Sequence, residues 1–286
     1  MGESIKAAQR EAVMDIAGAL SCHKFGTMAQ LYRGAALQPI KPYIACLGSS
    51  ETYARNISVP WPGLLAKRID LQVMNWAQNG AGPGYYLRDA DMIAALNRAK
   101  LTIVTVMPAH FLSNRLYSVL DRRNQMLKDV SEMATALFPE LEFHRFETVN
   151  EMMHAMHKQS AERFRVLDVE LKGAYIARMR DLLQLVEGRK LLLWLSPRRP
   201  GGRAMDMQAD DCGPLPQFVT TEMMEAIRPY ADHYVEHILP RDTEGSALTP
   251  EDHANIAEHL QPEVERLTHI RGRGPSGSGL RGLFGF

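Results

Sequence analysis

A glycine, two serines and a glutamate close an apolar run in Tyr43-Ile44-Ala45-Cys46-Leu47-Gly48-Ser49-Ser50-Glu51-Thr52. The run reads as a buried strand, the glycine as a tight turn, and the residues after it as the start of a helix. In an open α/β sheet such a turn lies at the carboxyl end of a strand, where ligands bind. A hydroxyl on a sharp strand-to-helix turn stands at the mouth of the sheet. The backbone N–H beside it can stabilise a developing oxyanion. Nucleophilic attack on an acyl carbon is the chemistry this arrangement permits. The same serines could instead satisfy backbone donors of the turn or cap the helix.

Two further stretches fall where loops beside that turn would lie. Asn79-Gly80-Ala81-Gly82-Pro83-Gly84 follows a second apolar run. Its glycines let backbone approach a ligand closely, and the Asn79 amide and a glycine N–H could donate to an oxyanion. After a third run come Pro108-Ala109-His110-Phe111 and Ser113-Asn114-Arg115-Leu116-Tyr117, then Arg122-Arg123-Asn124. Ser113 reads as the N-cap of a helix reaching about Leu137, with Pro139 beyond its end. On such a helix Arg115 and Arg122, seven residues apart, share a face and could hold a carboxylate, sulfate or phosphate. Pairing with surface carboxylates is the alternative for both. Ser49, Glu51 and His110 complete the residues expected to face a substrate.

These positions need a scaffold, and the hydrophobic pattern supplies one. Tyr43 to Leu47, Leu71 to Ala77, Leu101 to Met107, Lys190 to Leu195 and a stretch within Ala231 to Leu239 read as strands. Helical patterns alternate with them: from Pro62, from Tyr85 to Ala99, from Pro216 to Arg228, and from about Pro250 to Leu267. Residues from about Asn150 to Val186 read as one or two helices, broken near Gly173. The fold class is α/β: a parallel five-stranded sheet with helices on both faces and right-handed crossovers. The third-to-fourth crossover runs to roughly 80 residues, against the dozen or more a parallel connection needs. It is expected to carry a helical insertion over about 120–187. Residues 1–40 read as a helical extension, 41–270 as the α/β domain, and 271–286 as a flexible tail rich in glycine and serine.

The order of these turns is similar to that of the SGNH, or GDSL-type, hydrolases of acyl esters. That resemblance implies a three-layer α/β/α domain, SGNH/flavodoxin-like in its sheet. Gly48-Ser49-Ser50-Glu51-Thr52 matches the Gly-Asp-Ser signature at Gly48 and Ser50, which makes Ser50 the nucleophile and puts Ser49 in the Asp slot. Gly80 or Gly82 then matches the glycine that donates to the oxyanion. Asn114 would stand in for the asparagine that follows the third strand. The segment Thr249-Pro250-Glu251-Asp252-His253-Ala254-Asn255-Ile256-Ala257 resembles the family's last helix, with Glu244 in the Asp slot and Ala247 in the His slot before it. The base therefore falls to His253, with Glu244 second. Gly-Ser-Ser-Glu, Ser-Asn-Arg-x-Tyr and Arg-Arg-Asn together also resemble an uncharacterised domain family related to these hydrolases.

Composition narrows the alternatives. Lys+Arg 33 balance Asp+Glu 33, so no global field attracts nucleic acid or an anionic membrane. Cys22, Cys46 and Cys212 are widely spaced and indicate neither a disulfide framework nor a zinc site. His154 with His157, and His233 with His237, have helical spacing, but they read as a polar helix face and a strand. No metal and no cofactor is expected. The expected partner is a small-molecule or glycan ester. A protein could dock on the N-terminal helices or on the C-terminal tail. The start lacks the apolar core of a signal peptide and no segment has the length of a membrane span, so a cytoplasmic location is expected. Two functions fit: a Ser-dependent esterase or acyl transferase, and a binding or scaffold protein in which the triad has decayed.

Overall fold

The computed structural model describes residues 22–25, 30–34, 41–201, 215–240 and 248–269. The expected N-terminal helices, the C-terminal tail and Glu244 lie mostly or wholly outside these residues.

A seven-stranded sheet organises the chain. Its order is β1 (Cys22–Phe25), β2 (Gln30–Arg33), β4 (Gln72–Asn75), β3 (Tyr43–Leu47), β5 (Leu101–Thr105), β8 (Lys190–Ser196) and β9 (His233–Ile238). The last five are mutually parallel, whereas β1–β2 and β2–β4 pair antiparallel. Five parallel strands were expected, and their order starts a reversal at β3. Chain direction runs one way from β3 to β4 and the other way from β3 through β5 to β9. A crevice opens at the carboxyl ends where such a reversal occurs.

The strands form because both faces are covered. All five residues of β3 and of β5 are buried. Alternate side chains go to opposite faces of a strand. Ile44, Cys46, Leu101, Ile103, Leu191 and Leu193 pack with Trp61 and Leu65 of α2 (Trp61–Arg68), and with Ile256 and Leu260 of α9 (Pro250–Thr268). Ala45, Leu47, Val104, Leu192 and Trp194 pack on the other face. Their partners there include Met92 and Leu96 of α4 (Ala90–Arg98) and Leu171, Tyr175 and Met179 of α7 (Ala161–Leu185). Each such aliphatic side chain contributes about 1.5–3 kcal/mol by leaving water. Cys46 belongs to this core: burial pushes its thiol well up, so it is an unreactive core residue.

Helix starts follow their caps. Asp89 accepts from Met92 N–H at 3.0 Å, and Ser160 caps α7. Thr148 and Glu151 form a capping box on α6 (Val149–Gln159), and Thr249 and Asp252 form one on α9. Each cap stabilises its helix by about 1 kcal/mol. The break expected near Gly173 falls at Ser160 instead, and Gly173 lies inside α7.

Two expectations are corrected. Residues 113–137 do not form one helix. Tyr117–Leu120 (β6) and Arg123–Val130 (β7) pair as an antiparallel hairpin, and only Glu132–Leu137 (α5) is helical. Buried Tyr117 and Val119 alternate with more exposed Ser118 and Leu120, which is a period of two. Ser113 Oγ accepts Val119 N–H at 3.0 Å instead of capping a helix. Tertiary pairing overrides local helix preference, with Leu127 N–H donating to Glu147 O at 3.0 Å from outside the hairpin. The described part of residues 1–40 is also not helical: β1 and β2 extend the sheet edge as a hairpin. Among the described residues no helix is long and apolar enough to cross a membrane.

Candidate functional site

The Ser50 turn is pinned from several sides. A Cβ on Gly48 would lie 2.6 Å from Thr52 Oγ1, so only glycine allows the chain to reverse this tightly. Gly48 N–H donates to the Tyr86 hydroxyl at 3.1 Å, and that hydroxyl donates to Gly48 O at 2.7 Å. The Thr52 and Thr105 hydroxyls pair at 2.8 Å, which ties the turn to the end of β5. Asn75 Nδ2 donates to Thr52 O at 2.9 Å from the end of β4. Arg33, buried in β2, donates to the carbonyls of Tyr53, Ala54, Ile57 and Ser58 and closes the loop that follows.

On this frame Ser50 begins α1 (Ser50–Tyr53) and is half-buried. Its Oγ accepts the N–H of Gly80 at 3.3 Å. Gly80 sits at φ 68°, a left-handed conformation that favours glycine. The two turns expected to be neighbours are therefore in contact, and a glycine N–H faces the serine hydroxyl. Ser49 Oγ and Glu51 Oε1 are both buried without a hydrogen-bond partner among the described residues. Burial pushes the Glu51 carboxyl up to about 7.

The hairpin tip covers the glycine turn. Asn124 is buried, and its Oδ1 accepts Gly82 N–H at 3.0 Å. Its Nδ2 donates to Leu120 O at 3.0 Å and Asp121 O at 3.4 Å. Arg88 pairs with Asp121 at the same tip. The Gln125 side chain lies across Gly80, since a Cβ there would meet Gln125 Oε1 at 2.1 Å. Gly82 N–H is thus engaged by Asn124, whereas Gly80 N–H faces Ser50. Neither Asn124 nor Gln125 was predicted as a site residue. The Arg-Arg-Asn triplet marked the place, but only a hairpin brings its neighbour over Gly80.

The remaining predicted residues divide. Asn79 is exposed at the turn. Asn114 Oδ1 accepts Leu116 N–H at 2.8 Å and Tyr117 N–H at 3.2 Å, so it shapes its own loop. Arg115 is engaged by Glu170 of α7, with backbone N–H to Oε1 at 2.9 Å and Nε to Oε2 at 2.6 Å. Arg122 is exposed at the tip and has no side-chain partner among the described residues. Its charge acts to lower the pKa of the Tyr85 phenol, which burial pushes up to about 12. With residues 113–131 not helical, Arg115 and Arg122 share no helix face, and the expected pair is corrected to one engaged and one unengaged guanidinium.

His110 is wholly buried. Its Nε2 pairs with Asn150 Oδ1 at 2.6 Å, its ring packs against Phe218, and burial holds it down to about 4. It belongs to the core and not to a substrate surface. His253 is also corrected. Its Nδ1 accepts Trp61 N–H at 3.2 Å, and burial pushes it down to about 4. A neutral imidazole has one acceptor nitrogen. That nitrogen holds α9 to α2, so no acceptor remains for the Ser50 proton. Among the described residues Gly80 N–H is the hydrogen-bond partner of Ser50 Oγ, and no histidine or carboxylate reaches it.

Elsewhere, His237 Nδ1 meets His259 Nδ1 at 2.8 Å, and His233 pairs with Glu263. Among the described residues no group of three or more His, Cys, Asp or Glu could hold a metal ion.

The family described as "Domain of unknown function (DUF6473)" matches residues 10–268. No curated protein and no solved structure matches.

Proposed function

The chain belongs to this family of unknown function, and from the Ser50 turn itself we propose a Ser-dependent esterase or acyl transferase acting on an acyl ester of an anionic or carbohydrate substrate. One observation carries the reading: the Ser50 hydroxyl and the Gly80 N–H face each other at 3.3 Å where the strand order reverses. A nucleophile and an oxyanion donor must stand this close to one carbonyl group. The SGNH resemblance of the turn, carried by Gly48 and Ser50, supports the same reaction class. Ser50 Oγ attacks the acyl carbon, the alcohol leaves with a proton, and water or a second alcohol releases the acyl group. With the His253 acceptor engaged by Trp61, Glu244 takes the role of base in this reading. Arg122 would select an anionic group on the substrate, because its exposed guanidinium has no side-chain partner among the described residues and can pair with an anion.

A second reading has its own observation. Ser50 Oγ meets no base among the described residues, as expected of a site that binds acyl or oxyanion ligands without turning them over. A fluorophosphonate probe separates the two. Covalent labelling at Ser50, lost in Ser50→Ala and slowed in Glu244→Gln, supports the hydrolase. A folded protein that stays unlabelled supports the binder.

A further inference from the structure

An acyl site at Ser50 gains from a second donor, and two of the groups expected from the sequence are engaged elsewhere. Asn114 is engaged within its own loop, and Gly82 N–H is held by Asn124. We propose that Gln125 is that donor, its side-chain amide holding a ligand oxygen beside the Gly80 N–H. This rests on the acyl reading of Ser50.

Position is the first argument. The Gln125 amide lies against the Cα of Gly80: a Cβ there would be 2.1 Å from Oε1 and 2.4 Å from Cδ. Gly80 is the residue whose N–H reaches Ser50 Oγ, so the amide borders the place where an oxyanion would form. A side chain at position 80 would displace it, and this gives the glycine a second reason beyond its φ of 68°.

The amide is also uncommitted. Gln125 Oε1 is buried and has no partner among the described residues. Its Nε2 has no hydrogen bond to any described residue. Buried polar atoms are almost always paired, and an exception calls for a reason. A methionine or leucine would fill the same volume without leaving an oxygen unpaired. The terminal torsion of glutamine is broad and two-fold, so the amide can turn its NH2 onto a ligand without breaking a bond.

The platform is rigid where the amide is not. Asn124 bridges Gly82 N–H to Leu120 O and Asp121 O, and Arg88 pairs with Asp121. A donor held on a fixed tip needs little reorganisation when charge develops. As the bond from Ser50 Oγ to the acyl carbon forms, the C=O electron pair moves to the carbonyl oxygen. Gly80 N–H and Gln125 N–H donate to that oxygen. The bond to the leaving alcohol then breaks as the carbonyl reforms, and the alcohol takes up the proton lost by Ser50. Gln125 transfers no proton.

The test measures fluorophosphonate labelling of Ser50 and p-nitrophenyl acetate hydrolysis in wild type, Gln125→Glu and Gln125→Ala. Gln125→Glu keeps the shape and removes the donor. The expected result is labelling and kcat slowed by about 100- to 1,000-fold in both variants, with KM changed far less. Wild-type rates in Gln125→Glu overturn the proposal and leave Ser50 as the nucleophile. Loss in Gln125→Ala with full activity in Gln125→Glu overturns it too, because the role is then packing. Absence of labelling in the folded wild type removes the acyl reading and this role with it.

Discussion

The Ser50 turn and the start of the last helix were expected to supply nucleophile and base, and they treat their polar groups differently. At the helix start Thr249 and Asp252 close a capping box, and His253 Nδ1 receives Trp61 N–H. The acceptors there hold the chain together. At the turn, Ser49 Oγ, Glu51 Oε1 and Gln125 Oε1 are buried without partners, and Ser50 Oγ meets only a glycine N–H among the described residues. His253 Nε2 and Trp61 Nε1 are also buried with no partner among the described residues, so the contrast lies in the acceptors: those at the helix start are used within the chain, whereas those at the turn are left over. The same contrast separates Arg115, paired with Glu170, from Arg122 at the hairpin tip.

Replacing the hydroxyl should have the largest effect. Ser50→Ala is expected to abolish fluorophosphonate labelling and hydrolysis of small acyl esters with an unchanged melting temperature. His253→Ala should do the reverse: labelling per folded molecule is kept, and stability falls by roughly 2–4 kcal/mol as α9 loses its contact with α2. A catalytic loss in His253→Ala without a stability loss would break the comparison.

Acid should destabilise the fold through its buried histidines. His253 and His110 are held near 4 in the fold, against about 6.5 in an unfolded chain. Their folded pKa is depressed, so the unfolded chain binds more protons between those values. Stability therefore falls as pH drops from about 6.5 to 4, by roughly 1–3 kcal/mol for each buried ring. Urea titrations at pH 7 and pH 4.5 measure it, and His110→Gln should flatten the slope.

Glu51 carries the opposite sign. Its folded pKa, about 7, lies above the unfolded value, so its contribution is present below about 4.5 and lost as pH rises through 7. Glu51→Gln should remove that loss and stabilise the protein at pH 8 by roughly 1–3 kcal/mol, while leaving stability at pH 4 little changed. A ligand on Ser50 that raises the wild-type melting temperature more at pH 6 than at pH 8 would tie this carboxyl to the site.

The smallest effects concern the two arginines. Arg122→Ala should raise KM for an anionic ester by about 10-fold relative to a neutral one, as expected when one charge-assisted contact is lost. Arg115→Ala should leave that ratio unchanged, since Glu170 already holds its guanidinium. Equal effects would erase the distinction between engaged and unengaged arginine.

The parallel strands were legible because a strand buried on both faces is apolar throughout. Tyr43–Leu47 has the predicted bounds, and the runs at Leu101 and Lys190 start where expected. The contact between the Ser50 and Gly80 turns was legible as well, since adjacent parallel strands bring their carboxyl ends together. The hairpin at 117–130 was not. Its eight-residue second strand has only one buried residue, Asn124, so hydrophobic periodicity carries little information there. The strands at 22–25 and 30–33 were hidden likewise, because four-residue strands near a sheet edge are short and take their conformation from pairing.

Local chemistry in the sequence thus determined the five parallel strands and the turn where Ser50 stands. Only the tertiary structure decided what each polar atom meets. Trp61 reaches His253 across 192 positions, Glu170 reaches Arg115 across 55, and a hairpin carries Gln125 over Gly80. The physical reason is that a hydrogen bond depends on an approach of about 3 Å, which spacing along a chain constrains only within one turn or one hairpin.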